Sequence, residues 1–113
     1  MLCWVGNMSA DISNIHFQGA RILRVIEHTD QRKLTFEVNY PLTERDSDFE
    51  RGKLIFEFYH RYLVSERDLN GEPTIRSAEI TEVNPRGITI RMKTDYGLRE
   101  VSCYTVREEG PFA

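Results

Sequence analysis

The stretch KLTFEVNY, residues 33 to 40, alternates apolar and polar side chains without a break. The apolar positions are Leu34, Phe36, Val38 and Tyr40. A period of two is typical of a β-strand with one buried face, because successive side chains point to opposite sides of a sheet. Pro41 follows directly and cannot donate a ladder hydrogen bond. The sequence therefore predicts a half-buried strand that ends at Pro41.

GITIRMKT, residues 87 to 94, repeats this alternation, with Ile88, Ile90 and Met92 on one face. The preceding NPRG (84–87) is typical of a turn, since proline fixes φ and glycine permits a positive φ. After the strand, DYG (95–97) predicts a tight reversal into LREVSCYTV (98–106). These segments predict antiparallel neighbours joined by short turns.

KLIFEFYHRY, residues 53 to 62, belongs to a longer predicted strand that spans residues 53–68. Its alternation places Leu54, Phe56, Phe58, His60, Tyr62 and Val64 on one face. The opposite face mixes apolar and charged residues: Ile55, Glu57, Tyr59, Arg61 and Leu63. A strand with apolar side chains on both faces is expected to be central, or covered on both sides for part of its length.

Two further strands are predicted with less regular patterns. TIRSAEITEV (74–83) places Ile75 and Ile80 on opposite parities, which indicates a β-bulge. GARILRVIEH (19–28) fits a helix face as well as a strand, and we prefer the strand because a short turn leads from it into residue 33. DISNIHF (11–17) offers Asp11 or Ser13 as the N-cap of a single helical turn.

These patterns predict a mainly β fold of about six antiparallel strands in meander order, closed as a barrel or folded as a two-layer sandwich. At most one short N-terminal helical turn accompanies them. We expect residues 11–108 to form a single β domain and residues 109–113 a C-terminal tail. Residues 1–10 are expected to form an arm that is either disordered or an over-extended start, because Met8 is a second plausible initiator.

The overall composition limits the classes of partner. Fifteen basic against eighteen acidic residues give a net charge of −3, so binding to nucleic acid is not expected. No window approaches the ~20 apolar residues of a membrane span. Cys3 and Cys103 lie near opposite ends of the chain and form no CxxC pair. We interpret both as free thiols of a cytoplasmic protein, with a Cys3–Cys103 disulfide as the alternative.

The sequence predicts no catalytic residue, metal site or cofactor. A catalytic histidine needs an orienting carboxylate and a nucleophile or substrate, and the sequence supplies neither for His60. His16, His28 and His60 lack the spacing of metal ligands. TERDSDFERGK (43–53) resembles a calcium-binding loop in its alternate acids, but Arg51 occupies the position that requires glycine. A solvated hairpin loop is expected there.

Two functional hypotheses follow from the long predicted strand. The first is a non-enzymatic interaction or accessory domain that binds a protein partner or itself through Ile55, Tyr59 and Leu63, since exposed apolar patches mark contact surfaces. The alternative is a small-ligand-binding barrel or enzyme whose site contains His60, Arg61 and Tyr62. An arginine fork there would suit a carboxylate or a phosphate.

Overall fold

A computed structural model describes residues 12, 15–41, 49–67 and 71–109. These residues form eight β-strands in two four-stranded antiparallel sheets that pack as a sandwich rather than a closed barrel. The strands are β1 (Arg21–His28), β2 (Lys33–Pro41), β3 (Phe49–Glu57), β4 (Arg61–Glu66), β5 (Ile75–Asn84), β6 (Gly87–Thr94), β7 (Gly97–Cys103) and β8 (Thr105–Glu109). The predicted mainly β class and the two-layer sandwich are confirmed, but the predicted number of strands was two too few.

The first sheet has the order β1-β2-β3-β8 and the second has the order β4-β7-β6-β5. The predicted meander holds within β1–β3 and within β5–β7, where consecutive strands are hydrogen-bonded. It fails at three places: the chain changes sheet between β3 and β4, crosses from one edge of the second sheet to the other between β4 and β5, and returns to the first sheet between β7 and β8. As a result, β8 pairs with β3 and β4 pairs with β7.

The predicted strand 53–68 is divided by a bend. β3 ends at Glu57 and β4 begins at Arg61, and Phe58 adopts the left-handed conformation with φ of 56°. A left-handed residue breaks the alternation of faces, so Phe58 is 57% exposed whereas Phe56 is fully buried. The prediction that these two rings share the core face is therefore wrong.

The predicted strand 98–106 is also divided, at Tyr104. Two backbone hydrogen bonds hold the bends side by side: Tyr104 N donates to Glu57 O at 3.0 Å, and His60 N donates to Ser102 O at 2.9 Å. Two adjacent chain segments thus turn together from one sheet into the other. These paired bonds also satisfy backbone groups that would otherwise lose their ladder partners at the bend.

The core lies between the sheets and consists of the side chains on the inward face of each strand. Phe36 and Phe56 are fully buried, and their rings meet edge to face with centroids 5.0 Å apart. The predicted apolar parities of β2 and β6 are confirmed, since Leu34, Phe36, Val38, Tyr40, Ile88, Ile90 and Met92 are all buried. Each such side chain contributes roughly 1.5–3 kcal/mol through removal of apolar area from water.

Several local predictions are confirmed. Residues 21–28 form a strand, and β5 has register shifts between Ile75 and Ser77 and between Ile80 and Glu82. The NPRG turn joins β5 to β6, and Cys103 is a fully buried free thiol.

Other predictions fall on residues that the structure does not describe: the arm 1–10, Cys3, most of the predicted helical turn, the loop 42–48 and the tail beyond 109. Among the described residues, no helix is long and apolar enough to cross a membrane.

Candidate functional site

A depression of about 550 Å³ opens at the bend of the molecule, and we call it the bend depression. It is lined by Arg32, Phe58, His60, Arg86 and Tyr104. Each lining residue comes from an irregular segment: the β1–β2 turn, the β3–β4 bend, the β5–β6 turn or the β7–β8 junction. All five residues are exposed, so the depression is a shallow surface feature and not an enclosed cavity.

Two aromatic rings form the apolar part of the bend depression. Phe58 is 57% exposed and Tyr104 is 48% exposed. Their ring centroids lie 6.3 Å apart at an interplanar angle of 84°, an edge-to-face contact. The rings support one another and still present apolar area to solvent.

The backbone that positions the depression is unusual. Arg32 has φ of 53° and Phe58 has φ of 56°, and they are the only non-glycine residues with positive φ in the described part of the chain. Tyr59 N donates to Arg32 O at 3.0 Å and so joins the two segments. A non-glycine residue held in the left-handed region of φ and ψ destabilises the fold by on the order of 1–3 kcal/mol, and such residues concentrate at functional sites.

The bend depression is basic. Arg32, His60 and Arg86 line it, and no carboxylate does. Neither arginine forms an ion pair with another described residue. The carboxylate of Glu57, at the end of β3, is held by Arg107 Nε and Thr105 Oγ1, each at 3.1 Å. The positive side chains are therefore available to a bound anion, although the whole chain carries a net charge of −3.

The structure separates the predicted ligand residues. His60 lines the bend depression, whereas Arg61 is exposed and does not line it. Tyr62 points elsewhere, since its hydroxyl accepts a hydrogen bond from Arg99 at 3.0 Å and its ring meets Phe36. Burial raises the pKa of Tyr62. The three residues do not form one site.

The predicted interaction residues are also separated. Ile55 is 3% exposed, so it presents almost no area for contact. Tyr59 packs against the core and is half-buried, and only Leu63, at 45% exposure, projects from β4. The exposed aromatic residues that the sequence reasoning missed are Phe58 and Tyr104. The alternation of apolar residues predicts Phe58 in the core, but the bend interrupts that alternation.

A second group of polar side chains joins three distant parts of the chain. The Glu108 carboxylate lies 2.9 Å from His16 Nδ1 and accepts a hydrogen bond from the Tyr40 hydroxyl at 3.1 Å. Burial and the Glu108 charge raise the pKa of Tyr40. A carboxylate–histidine pair can serve as a general base, but His16 does not line the bend depression. We interpret this group as a structural tie between β2, β8 and the segment before β1.

A second depression, of about 350 Å³, lies on the outer face of the first sheet and is lined largely by charged residues of both signs. Glu37 there is already paired with Arg24, and Glu109 with Arg107. These bonds lower the pKa of both carboxyl groups. The two carboxylates of the lining are balanced in number by its two cations, Arg51 and Lys53, so the depression favours no ligand of either charge.

Within the described ranges, no group of three or more histidine, cysteine or acidic residues is arranged to hold a metal ion. No protein-family model matches the sequence, and a search of curated proteins finds no match. The geometry of the molecule is therefore the basis for a functional assignment.

Proposed function

We propose that this chain is a non-enzymatic protein-interaction domain, and that the bend depression is its contact surface for an acidic segment of a partner protein. The observation that carries the proposal is the composition of the lining: two exposed aromatic rings and three basic side chains, with no carboxylate. Aromatic residues and arginine are enriched at the centres of protein interfaces and supply most of their binding energy.

The shape of the bend depression favours a peptide over a small molecule. Small-ligand pockets usually bury about 70–90% of their ligand. All five lining residues of the bend depression are exposed, so a compact ligand would remain largely in water. An extended segment, in contrast, can cover both Phe58 and Tyr104 while its carboxylates reach the arginines.

The charges specify the partner. Arg32 lies in the β1–β2 turn and Arg86 in the β5–β6 turn. The lining contains no carboxylate that could neutralise either charge. Aspartate or glutamate side chains of a partner would supply that charge, and arginine forks bind carboxylates with two parallel hydrogen bonds. Exposed pairs of this kind are screened by salt, so the association is expected to weaken as ionic strength rises.

An enzymatic role has less support. His60 is the one histidine of the lining, and none of the other four side chains is a carboxylate that could orient it as a general base. A cytoplasmic location remains part of the proposal, since the described thiol, Cys103, is free and buried.

A binding experiment tests the proposal. The probe is the fluorescein-labelled peptide Glu-Glu-Tyr-Glu-Glu, titrated with the full chain at low salt and followed by fluorescence anisotropy. We expect saturable binding that Phe58→Gly and Arg32→Gly each weaken about ten-fold or more. Glycine suits the left-handed backbone at both positions, so these variants remove the side chain without straining the fold.

The matched control is Arg76→Gln, which removes an exposed arginine from β5, outside the bend depression. It should leave the affinity almost unchanged, and a peptide with glutamine in place of glutamate should not bind. Equal binding of the acidic peptide to the wild type and to Phe58→Gly, or no saturable binding to the wild type, would refute the assignment.

A further inference from the structure

A separate depression of about 420 Å³ opens between β1 and β4, which are edge strands of the two sheets, and we call it the side opening. Its walls include Leu23, Val25 and Val64, and its floor contains Tyr62 and Arg99. A volume of this size lies within the range of small-molecule sites, about 300–1,000 Å³. The side opening shares no residue with the bend depression.

The walls are apolar and incompletely covered. Val64 is 38% exposed, and Leu23 and Val25 are half-buried. Leu23 is the extra residue of a bulge: Ile22 pairs with Val38, Arg24 pairs with Glu37, and Leu23 has no partner in β2. Bulges often redirect a side chain next to a functional site. Here the unpaired Leu23 contributes apolar area to the mouth of the side opening.

The floor carries polar groups without net charge. Arg99 directs Nε and one terminal nitrogen to the Glu66 carboxylate, at 2.7 and 2.8 Å. Its other terminal nitrogen donates to the Tyr62 hydroxyl at 3.0 Å. That hydroxyl accepts this bond and keeps its own proton, for which no described residue provides an acceptor. Because burial raises the pKa of Tyr62, the proton is retained at neutral pH.

We propose that the side opening binds a neutral small molecule with an apolar body and one hydrogen-bond acceptor. That acceptor takes a hydrogen bond from the Tyr62 hydroxyl. The guanidinium of Arg99 is neutralised by Glu66, and Arg24 at the rim is neutralised by Glu37. A charged ligand would therefore find no uncompensated partner. A ketone, ester or amide attached to an apolar group fits both the walls and the Tyr62 hydroxyl as donor.

The probe for this site is 6-propionyl-2-(dimethylamino)naphthalene, a neutral ketone whose emission shifts to the blue when it leaves water. Titration of the full chain should give a saturable blue shift. Tyr62→Phe keeps the ring and removes the donor, so it should weaken binding about 3- to 10-fold. Val64→Trp fills the side opening and should weaken binding more than about ten-fold.

Val83→Trp is the matched control, because Val83 is 51% exposed on β5, away from the side opening. It should bind the ketone like the wild type, and so should Phe58→Gly, which separates this site from the bend depression. Circular dichroism confirms that each variant is folded. Wild-type affinity in Val64→Trp or in Tyr62→Phe, or tighter binding of the anion 2-naphthoate than of the ketone, would overturn the proposal.

Discussion

The Glu66 carboxylate accepts two hydrogen bonds from the Arg99 guanidinium, at 2.7 and 2.8 Å, in a place where the two side chains are 0% and 9% exposed. Thr94 Oγ1 donates a third bond to the carboxylate at 3.0 Å. Both charges have left water, so each depends on the other to offset its desolvation. The pair joins β4 to β7 and closes the floor of the side opening.

Breaking this pair should be costly. Glu66→Gln leaves the Arg99 charge buried without a counter-charge, and we expect the free energy of unfolding in urea to fall by about 3–5 kcal/mol. The control is Glu37→Gln, because Arg24 binds Glu37 with the same forked geometry, both bonds being 3.1 Å, on an exposed surface. That change should cost less than about 1 kcal/mol. Equal losses would show that burial is not what makes the Arg99 pair important.

The parts of the fold that the sequence predicted correctly are those where the local pattern and the tertiary structure agree. In β2 and β6 every second residue is apolar. This alternation fixes which face of the strand is buried, because a shift by one residue would turn the apolar side chains to solvent. The bend at Phe58 carried no such signal. Neither glycine nor proline marks it, and the apolar pattern continues through it. Its position depends on the neighbouring bend at Tyr104, which lies 46 residues away along the chain.

Only part of the bend depression could be predicted from the sequence. His60 stands in an aromatic stretch and is predicted from the sequence as a ligand-binding residue, and it lines the depression. Arg32 and Arg86 were visible only as residues of two separate turns. Nothing in a single sequence states which turns meet, since the order of strands in each sheet decides that. The pairing of β8 with β3 is the step that brings Tyr104 beside Phe58.

Phe56 and Phe58 should respond in opposite ways to substitution. Phe56→Ala empties a fully buried position and should cost about 3–5 kcal/mol in urea unfolding. Phe58→Ala removes a ring that is 57% exposed and should cost less than about 1 kcal/mol. Phe58→Gly should be neutral or stabilising by up to about 1 kcal/mol, because glycine relieves the left-handed backbone. A large loss in Phe58→Gly would place this ring in the core.

The Cys103 thiol should be unreactive in the folded protein. Burial raises its pKa to about 12, from 9.0. At pH 8 about one thiol in ten thousand would then be ionised, and the thiolate is the nucleophile. In a Cys3→Ser background, we expect Ellman's reagent to modify Cys103 only when urea unfolds the chain. Rapid modification without urea would contradict the buried position.

The same pKa shift predicts an alkaline loss of stability. The folded pKa of Cys103 exceeds the unfolded value, so its contribution is complete below pH 9 and is lost as the pH rises towards 12. The urea midpoint of Cys3→Ser should fall with pH in this window. It should fall less steeply when Cys103→Ala is added, and identical slopes would show that Cys103 is not the titrating group.

Glu108 should hold the segment before β1 against the body of the protein. Its carboxylate binds His16 through Nδ1 and the backbone N–H, and it accepts the bond of the largely buried Tyr40 hydroxyl. Glu108→Ala removes all three contacts, and we expect it to cost about 1–3 kcal/mol in urea unfolding. The loss should be local as well, so chymotrypsin should cleave after Phe17 faster than in the wild type, as detected by mass spectrometry. Phe17 is 4% exposed in the intact structure and is therefore protected there.

The control for Glu108→Ala is the adjacent Glu109→Ala, which removes an exposed carboxylate bonded to Arg107 and should change neither measurement appreciably. If the two variants were cleaved at the same rate, the tie between Glu108 and the segment before β1 would carry no stability of its own.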